Sequence, residues 1–222
     1  MNSFWWIFHK DLVTEFRARR VWPTMLLLGI VVAIVFGVQM DILPHQKQAL
    51  VGGLLWLAIF FAGMTAIERS FSSEEESGCW EAMKLYPASP AAIYFAKLLA
   101  STVALGVLEC VLFPLFFVLA GLSPWRYAGE MALVGIPANV GICAVGNLVS
   151  ALATGIGRAG YLLVLLVLPL VIPVLLAAAE ATRLAVGEQI DGVWWRWIQL
   201  LVAFAVVYVA AGTVLFEYAT EE

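Results

Sequence analysis

Charge is scarce in this sequence. Of 222 residues only 13% are Asp, Glu, Lys or Arg, where an ordinary soluble domain carries about a quarter. No basic patch with interleaved aromatics occurs, which sets nucleic-acid binding aside. The three cysteines, Cys79, Cys110 and Cys143, lie far apart, with neither a C-x-x-C pair nor the His spacing of a zinc or c-type haem site. They read as small apolar residues, and no metal is expected. No G-x-x-x-x-G-K-[ST] string is present, so any ATP used must be bound by another subunit. Neither a Ser/His/Asp constellation, nor paired carboxylates, nor a membrane-protease metal motif can be assembled, so the expectation is a protein without catalytic chemistry of its own.

What fills the sequence instead is hydrocarbon. Hydrophobic residues make up 63% of the chain, and they come in blocks of 18 or more that are almost free of charge. That is the length needed to cross about 30 Å of bilayer core at 1.5 Å per residue. Backbone amides in lipid must be satisfied internally, and barrel-like alternation is absent, so the spans are expected to be α-helices. Six are read: Val21–Gln39, Ala49–Ile67, Ile93–Gly121, Met131–Thr154, Tyr161–Ala179 and Trp197–Phe216. The fold class is therefore an all-α polytopic membrane protein, one domain over residues 1–222. Charged residues from Lys10 to Arg20 precede the first long apolar run and no cleavage site follows closely, so that span is expected to be retained.

Two polar segments frame this bundle. Residues 1–20 place Trp5, Phe8, Leu12 and Phe16 at helical spacing beside Lys10, Arg17, Arg19 and Arg20, the pattern of an interfacial amphipathic helix. Residues 68–92 form the longest polar stretch. With six spans both termini share one side, and that side holds Lys10, Arg17, Arg19, Arg20, Arg69, Lys84, Lys97 and Arg158. The other holds Lys47, Arg126, Arg183 and Arg196. Eight against four places both termini and the acidic segment in the cytoplasm.

Few residues inside the spans invite a chemical role. Glu109, midway along the third span, is either a functional carboxyl or a carboxyl hydrogen-bonded to a neighbouring helix, because an isolated charge there is costly. Asn139 and Asn147 read most simply as hydrogen bonds across the bundle, with lining of a path as the sharper alternative. Gly141, Ala144, Gly146, Ser150, Ala151 and Gly155 allow close helix approach. His9 and His45 read as solvated. Gly155-x-Gly157-x-x-Gly160 matches a dinucleotide string but lacks a strand before it, so it reads as a tight turn. Pro114, Pro137, Pro169 and Pro173 are candidate bends.

The segment Glu74-Glu75-Glu76-Ser77-Gly78-Cys79-Trp80-Glu81-Ala82-Met83-Lys84-Leu85-Tyr86-Pro87 is unusual. A merely solvated loop has no need of Trp80, Met83, Leu85 and Tyr86. A short helix from Cys79 to Tyr86 would carry apolar anchors among charges, as docking into a partner's groove requires; the alternative places these residues on the membrane surface. Glu74, Glu75, Glu76, Gly78, Trp80, Glu81, Met83 and Pro87 are the candidate docking residues.

This run, from the acidic residues through Gly78 and Glu81 to Pro87, resembles the coupling segment of ABC-2-type export permeases. The chain is similar in particular to the CcmB family, haem-exporter permease B of cytochrome c maturation. The likeness rests also on its length, its six-span layout, the K-D-L-x-x-E-x-R pattern (Lys10, Asp11, Leu12, Glu15, Arg17), and the stretch from Gly155 through Arg158, Gly160, Leu165, Leu168, Pro169, Ile172 and Pro173. Cys79 and Trp80 depart from the family's small residue plus Leu, and the first external loop is short. The resemblance implies an ABC-2-type permease bundle in a bacterial inner membrane that serves haem delivery, with haem a candidate substrate and no cofactor expected on this chain. It further implies a cytoplasmic ABC ATPase subunit that carries the ATP, a haem-handling membrane protein and a small membrane subunit as partners, with room for a homodimer. The family's haem-ligating histidines belong mainly to the haem-handling partner, so His45 does not inherit that role. An ABC-2 exporter of a lipid, peptide or drug, and a non-transporting scaffold of an assembly complex, are the rival readings.

Overall fold

The computed structural model describes residues 2–17, 21–42, 47–76, 89–153 and 159–221, and among them every regular element is helical. We label the α-helices in chain order: α1 (Asn2–Arg17), α2 (Val21–Ile42), α3 (Lys47–Glu76), α4 (Pro90–Leu119), α5 (Ala128–Ala153), α6 (Ala159–Val186) and α7 (Gly192–Glu221). A 3-10 turn, Pro124–Tyr127, leads into α5. Among the described residues, four helical stretches are long and apolar enough to cross a membrane, Pro90–Leu119, Pro124–Ser150, Val167–Val186 and Gly192–Glu217. Two shorter apolar stretches, Met25–Val38 and Leu50–Thr65, lie within α2 and α3.

The helices present apolar side chains outward as well as inward. Leu27, Ile34, Val38, Ile136, Leu176 and Val206 are exposed on the outside, where lipid replaces water as the solvent. Helix α5 is the centre: 67% of its apolar stretch is buried, against 22% for α7. It packs along α7 and α6, while α3 packs along α6, α2 along α3 and α4, and α1 along α4. Its small residues make this possible. Gly141 lies against Val174 and Ala205, and a Cβ at Gly146 would stand 2.7 Å from Ile67 and 2.9 Å from Met64.

Large side chains then wedge into matching gaps. Tyr94 of α4 inserts between α5 and α7, donating to the Ala144 carbonyl at 3.3 Å. A Cβ at Gly212 would collide with its hydroxyl. Trp56 of α3 donates to Thr182 Oγ1 of α6 at 2.9 Å, and that hydroxyl donates onward to the Ala178 carbonyl at 2.7 Å. Trp194 is buried and donates to the Ala181 carbonyl at 3.0 Å, whereas Trp195 is half exposed. The tryptophan cluster therefore divides between bundle packing and the interface.

Several helix boundaries exceed the hydrophobic blocks. Helix α3 continues past Glu68 to Glu76, so Glu74, Glu75 and Glu76 end a helix instead of opening a loop. Helix α6 continues past Ala179 to Val186 because Glu180 and Arg183 satisfy one another, with nitrogen–oxygen distances of 2.8 and 2.7 Å. Gly160 lies in the first turn of α6, while Gly155, Gly157 and Arg158 are outside the described residues. Lys97 is a correction: it stands seven residues into α4 and is 4% exposed, so it is no loop cation and the tally becomes seven against four. Among the described side chains of α1, Ile7 is buried against the bundle and Phe8 half-buried, while Trp5 is exposed.

At the end where α4 and α6 finish, Gly121 takes φ 75 and closes α4, the left-handed cap that glycine adopts without strain. At the end of α6 the left-handed residue is Glu188, φ 57, one place after Gly187. Its carboxylate pairs with Arg126 of the 3-10 turn at 2.6 Å, tying the two turns together.

The α3–α6 contact gives a direct test. A Cβ at Gly52 would meet the Ala179 carbonyl oxygen at 2.6 Å, while one at Gly53 meets nothing within 4 Å. Gly52→Ala is expected to cost about 1–3 kcal/mol through overpacking, seen as earlier loss of the monodisperse peak on heating in detergent. Gly53→Ala should leave that transition unmoved.

Candidate functional site

Polar side chains inside the bundle concentrate on the facing sides of α4 and α5. Asn147 of α5 donates to Ser101 Oγ of α4 at 2.7 Å, and Ser101 Oγ donates in turn to the Lys97 carbonyl. Asn139 of α5 donates through Nδ2 to Glu109 Oε2 of α4. Ser101 and Glu109 are eight residues apart, as are Asn139 and Asn147, so the two antiparallel helices share one register. Eight residues make slightly more than two turns, which keeps both polar rungs on one face about 12 Å apart.

Gly135 makes room for the upper rung. A Cβ there would collide with Glu109 Oε1, so the carboxyl occupies the space that any other residue would fill. The pair also tolerates a proton. An ionised Glu109 accepts from the amide, and a protonated one donates to the amide oxygen if the Asn139 amide is turned over. Glu109 is hydrogen-bonded to a neighbouring helix, and it also lines a cavity.

That cavity, about 670 Å³, lies between α4, α5 and the 3-10 turn. Thr102, Gly106, Glu109, Trp125, Ile136 and Asn139 belong to its wall. Thr102 Oγ1 and Asn139 Oδ1 are buried without a hydrogen-bond partner, a condition that costs about 1–3 kcal/mol per group. A second, wholly apolar cavity of about 490 Å³ adjoins it through Thr102 and continues along α4 past Leu98 to Phe95.

Of the candidate docking residues, Glu74, Glu75 and Glu76 form the C-terminal turn of α3. Three acidic residues there oppose the negative end of the helix dipole. Gly78, Trp80, Glu81, Met83 and Pro87 lie outside the described residues, as does His45. Helix α4 begins just beyond, at Pro90, with Ser89 as its N-cap accepting from the Ala92 amide at 3.4 Å. Gly135, Ser101 and Thr102 escape sequence reasoning. The available signal was the i, i+4 placement of Gly135 before Asn139 and the equal eight-residue spacing on the two helices.

An apolar exterior, a small-residue central helix and polar side chains paired across helices define a polytopic α-helical membrane protein. The chain belongs to the CcmB protein family, whose model matches residues 2–221. It is 32% identical over 158 residues to heme exporter protein B of Pseudomonas aeruginosa, covering 71% of this chain and 70% of that one. It is 33% identical over 160 residues to heme exporter protein B of Rhodobacter capsulatus, covering 70% of each. With heme exporter protein B of Escherichia coli K12 it shares 31% identity over 178 residues, 80% of each chain. The family read from Lys10–Arg17, the acidic segment and the Gly155–Pro173 stretch is the family found.

The polar rung lends itself to a double-mutant cycle. Glu109→Leu and Asn139→Leu each leave the other group unpaired in the bundle, and each is expected to lower unfolding free energy in mixed micelles by about 1–2 kcal/mol. The double variant should lose clearly less than the sum of the two; strict additivity would mean the pair carries no interaction.

Proposed function

We propose that this chain is the membrane permease subunit of an exporter that serves haem delivery for c-type cytochrome assembly, driven by ATP hydrolysis on a separate cytoplasmic subunit. The observation that carries this reading is the family match over residues 2–221, with relatives named heme exporter protein B. The absence of a phosphate-binding string in the chain supports placing ATP on a partner. In this reading six helices, α2 to α7, cross the bacterial inner membrane, with both termini and residues 68–92 in the cytoplasm. Haem is substrate, and the chain holds no cofactor. Its partners are the ATPase, a haem-handling membrane protein and a small membrane subunit.

Physical support for coupling comes from how the ends are arranged. The acidic turn of α3 disfavours itself electrostatically, and a basic partner surface would offset that cost. The segment feeds straight into Pro90, so displacement by a partner acts on α4, against which α1 packs. From α4 the movement reaches α5 through the Asn139–Glu109 and Asn147–Ser101 bonds. Pro114, Pro137, Pro169 and Pro173 lie inside continuous helices, where missing backbone bonds favour bending. The bundle then switches between two states whose balance ATP shifts.

A second reading, a non-transporting membrane scaffold, draws on the same two rungs, because pairing uses up polar groups that a translocation path would expose. ATP dependence separates the two. In a deletion strain covalently bound c-type haem should fall to background and return with the wild-type gene. A Trp80→Ala, Met83→Ala double variant should insert normally yet restore little of it, with recovery of the ATPase reduced at least tenfold. Undiminished ATPase recovery would remove these residues from the coupling role, and normal c-type haem in the deletion strain would overturn the cytochrome-assembly reading.

A further inference from the structure

We propose that the two adjoining cavities along α4 form one lateral site for a lipid-soluble molecule with an uncharged hydroxyl head and an apolar tail, the head at Glu109 and the tail running toward Phe95. Isoprenoid quinols and polyprenols share this chemistry. The site is separate from haem passage and stands or falls independently of it.

Shape comes first. The 670 Å³ cavity is open where Gly106 stands, since a Cβ at that position meets nothing within 4 Å. Thr102 belongs to the walls of both cavities, so the space continues from Glu109 down the side of α4 to Phe95. Fourteen helical residues separate those two, about 21 Å, a length suited to an extended chain. Ile136, Val107, Phe95 and Leu99 along this course are exposed on the apolar exterior, so entry is from the bilayer.

Polarity then selects the head. Glu109, Asn139 and Thr102 contribute oxygens, and neither cavity wall contains Lys, Arg or His. A phosphate or carboxylate head would face the Glu109 carboxyl with no cation to offset it. Haem, with two propionates, is disfavoured for that reason. A hydroxyl both donates and accepts, so it matches Glu109 in either protonation state and can supply a partner for Thr102 Oγ1 or Asn139 Oδ1, which have none. Depth excludes ordinary phospholipids as well. Glu109 lies ten residues before the end of α4 at Leu119, about 15 Å inward along the helix, where a phospholipid presents acyl chain and a quinol or prenol can present its head.

The test uses the full chain in phosphatidylcholine nanodiscs with two photoreactive probes, an azido-quinol and a diazirine-bearing prenol, and maps labelled peptides by mass spectrometry. The expected result is saturable labelling of the α4 peptide that contains Gly106 and Glu109 and of the α5 peptide that contains Ile136 and Asn139, competed by unlabelled decylubiquinol or geranylgeraniol. Which competitor acts identifies the source. Gly106→Leu should cut labelling at least tenfold by filling the cavity, whereas Gly53→Leu, on an open face of α3, should not change it. Should Gly106→Leu fail to insert, Ala132→Phe on the opposite wall serves the same purpose. Labelling spread evenly over the lipid-facing helices, labelling retained in an inserted cavity-filled variant, or competition by phosphatidylethanolamine alone would overturn the proposal.

Discussion

Hydrocarbon offers no hydrogen bonds, so a polar atom that enters it is costly unless it finds a partner inside the protein. Helices satisfy the backbone without outside help, and the side chains are left to solve the rest by pairing. Trp56 with Thr182, Tyr94 with the Ala144 carbonyl, Trp194 with the Ala181 carbonyl, Asn147 with Ser101 and Asn139 with Glu109 are five solutions to one problem. Each joins two helices distant in sequence or flanking a turn, so the same bonds that remove a desolvation cost also fix which helices are neighbours. Exclusion of water supplies no selective force between apolar helices in lipid; close packing and these bonds must do so.

Small residues are the complement of those bonds. Gly146 and Gly141 bring α5 near α3, α6 and α7, Gly212 receives Tyr94, and Gly135 receives the carboxyl of Glu109. At Gly146, Gly212 and Gly135 a large or polar group occupies the volume a side chain would have taken. Helix α5 is central for this reason, despite carrying Asn139, Asn147 and Ser150, residues that are otherwise costly at the centre of a membrane bundle.

Much of this was legible in the sequence, and the remainder had identifiable physical causes for being hidden. Long apolar blocks announce helices and their approximate spans, and the partners of Asn139 and Asn147 were expected across the bundle. Helix ends were less legible. Glu68–Glu76 is too polar for lipid yet continues α3, and Glu180 and Arg183 extend α6 by neutralising one another. Lys97 reads as a loop cation by charge, although its side chain is enclosed. The cavity beside Glu109 depends on how α4 and α5 splay around Gly106 and Gly135, a property of two helices together that neither segment displays by itself. Trp80, Met83 and Pro87 are known from the sequence only, and their role rests on the family and on the apolar anchors themselves.

In the proposed reading, coupling runs along one helix: α4 starts beside the acidic segment and carries, further in, the polar rung that binds it to the central helix, so a partner acting at Pro90 would act on the bundle as far as Glu109. The most direct measurement is gentle purification of the tagged protein from its native membrane, with mass-spectrometric identification of what accompanies it before and after ATP addition. Recovery of an ATP-binding subunit together with a haem-binding membrane protein, in proportions that change with ATP, is the result expected of an ATP-driven permease in haem delivery. Recovery of no ATP-binding subunit under conditions that preserve other membrane complexes would contradict it.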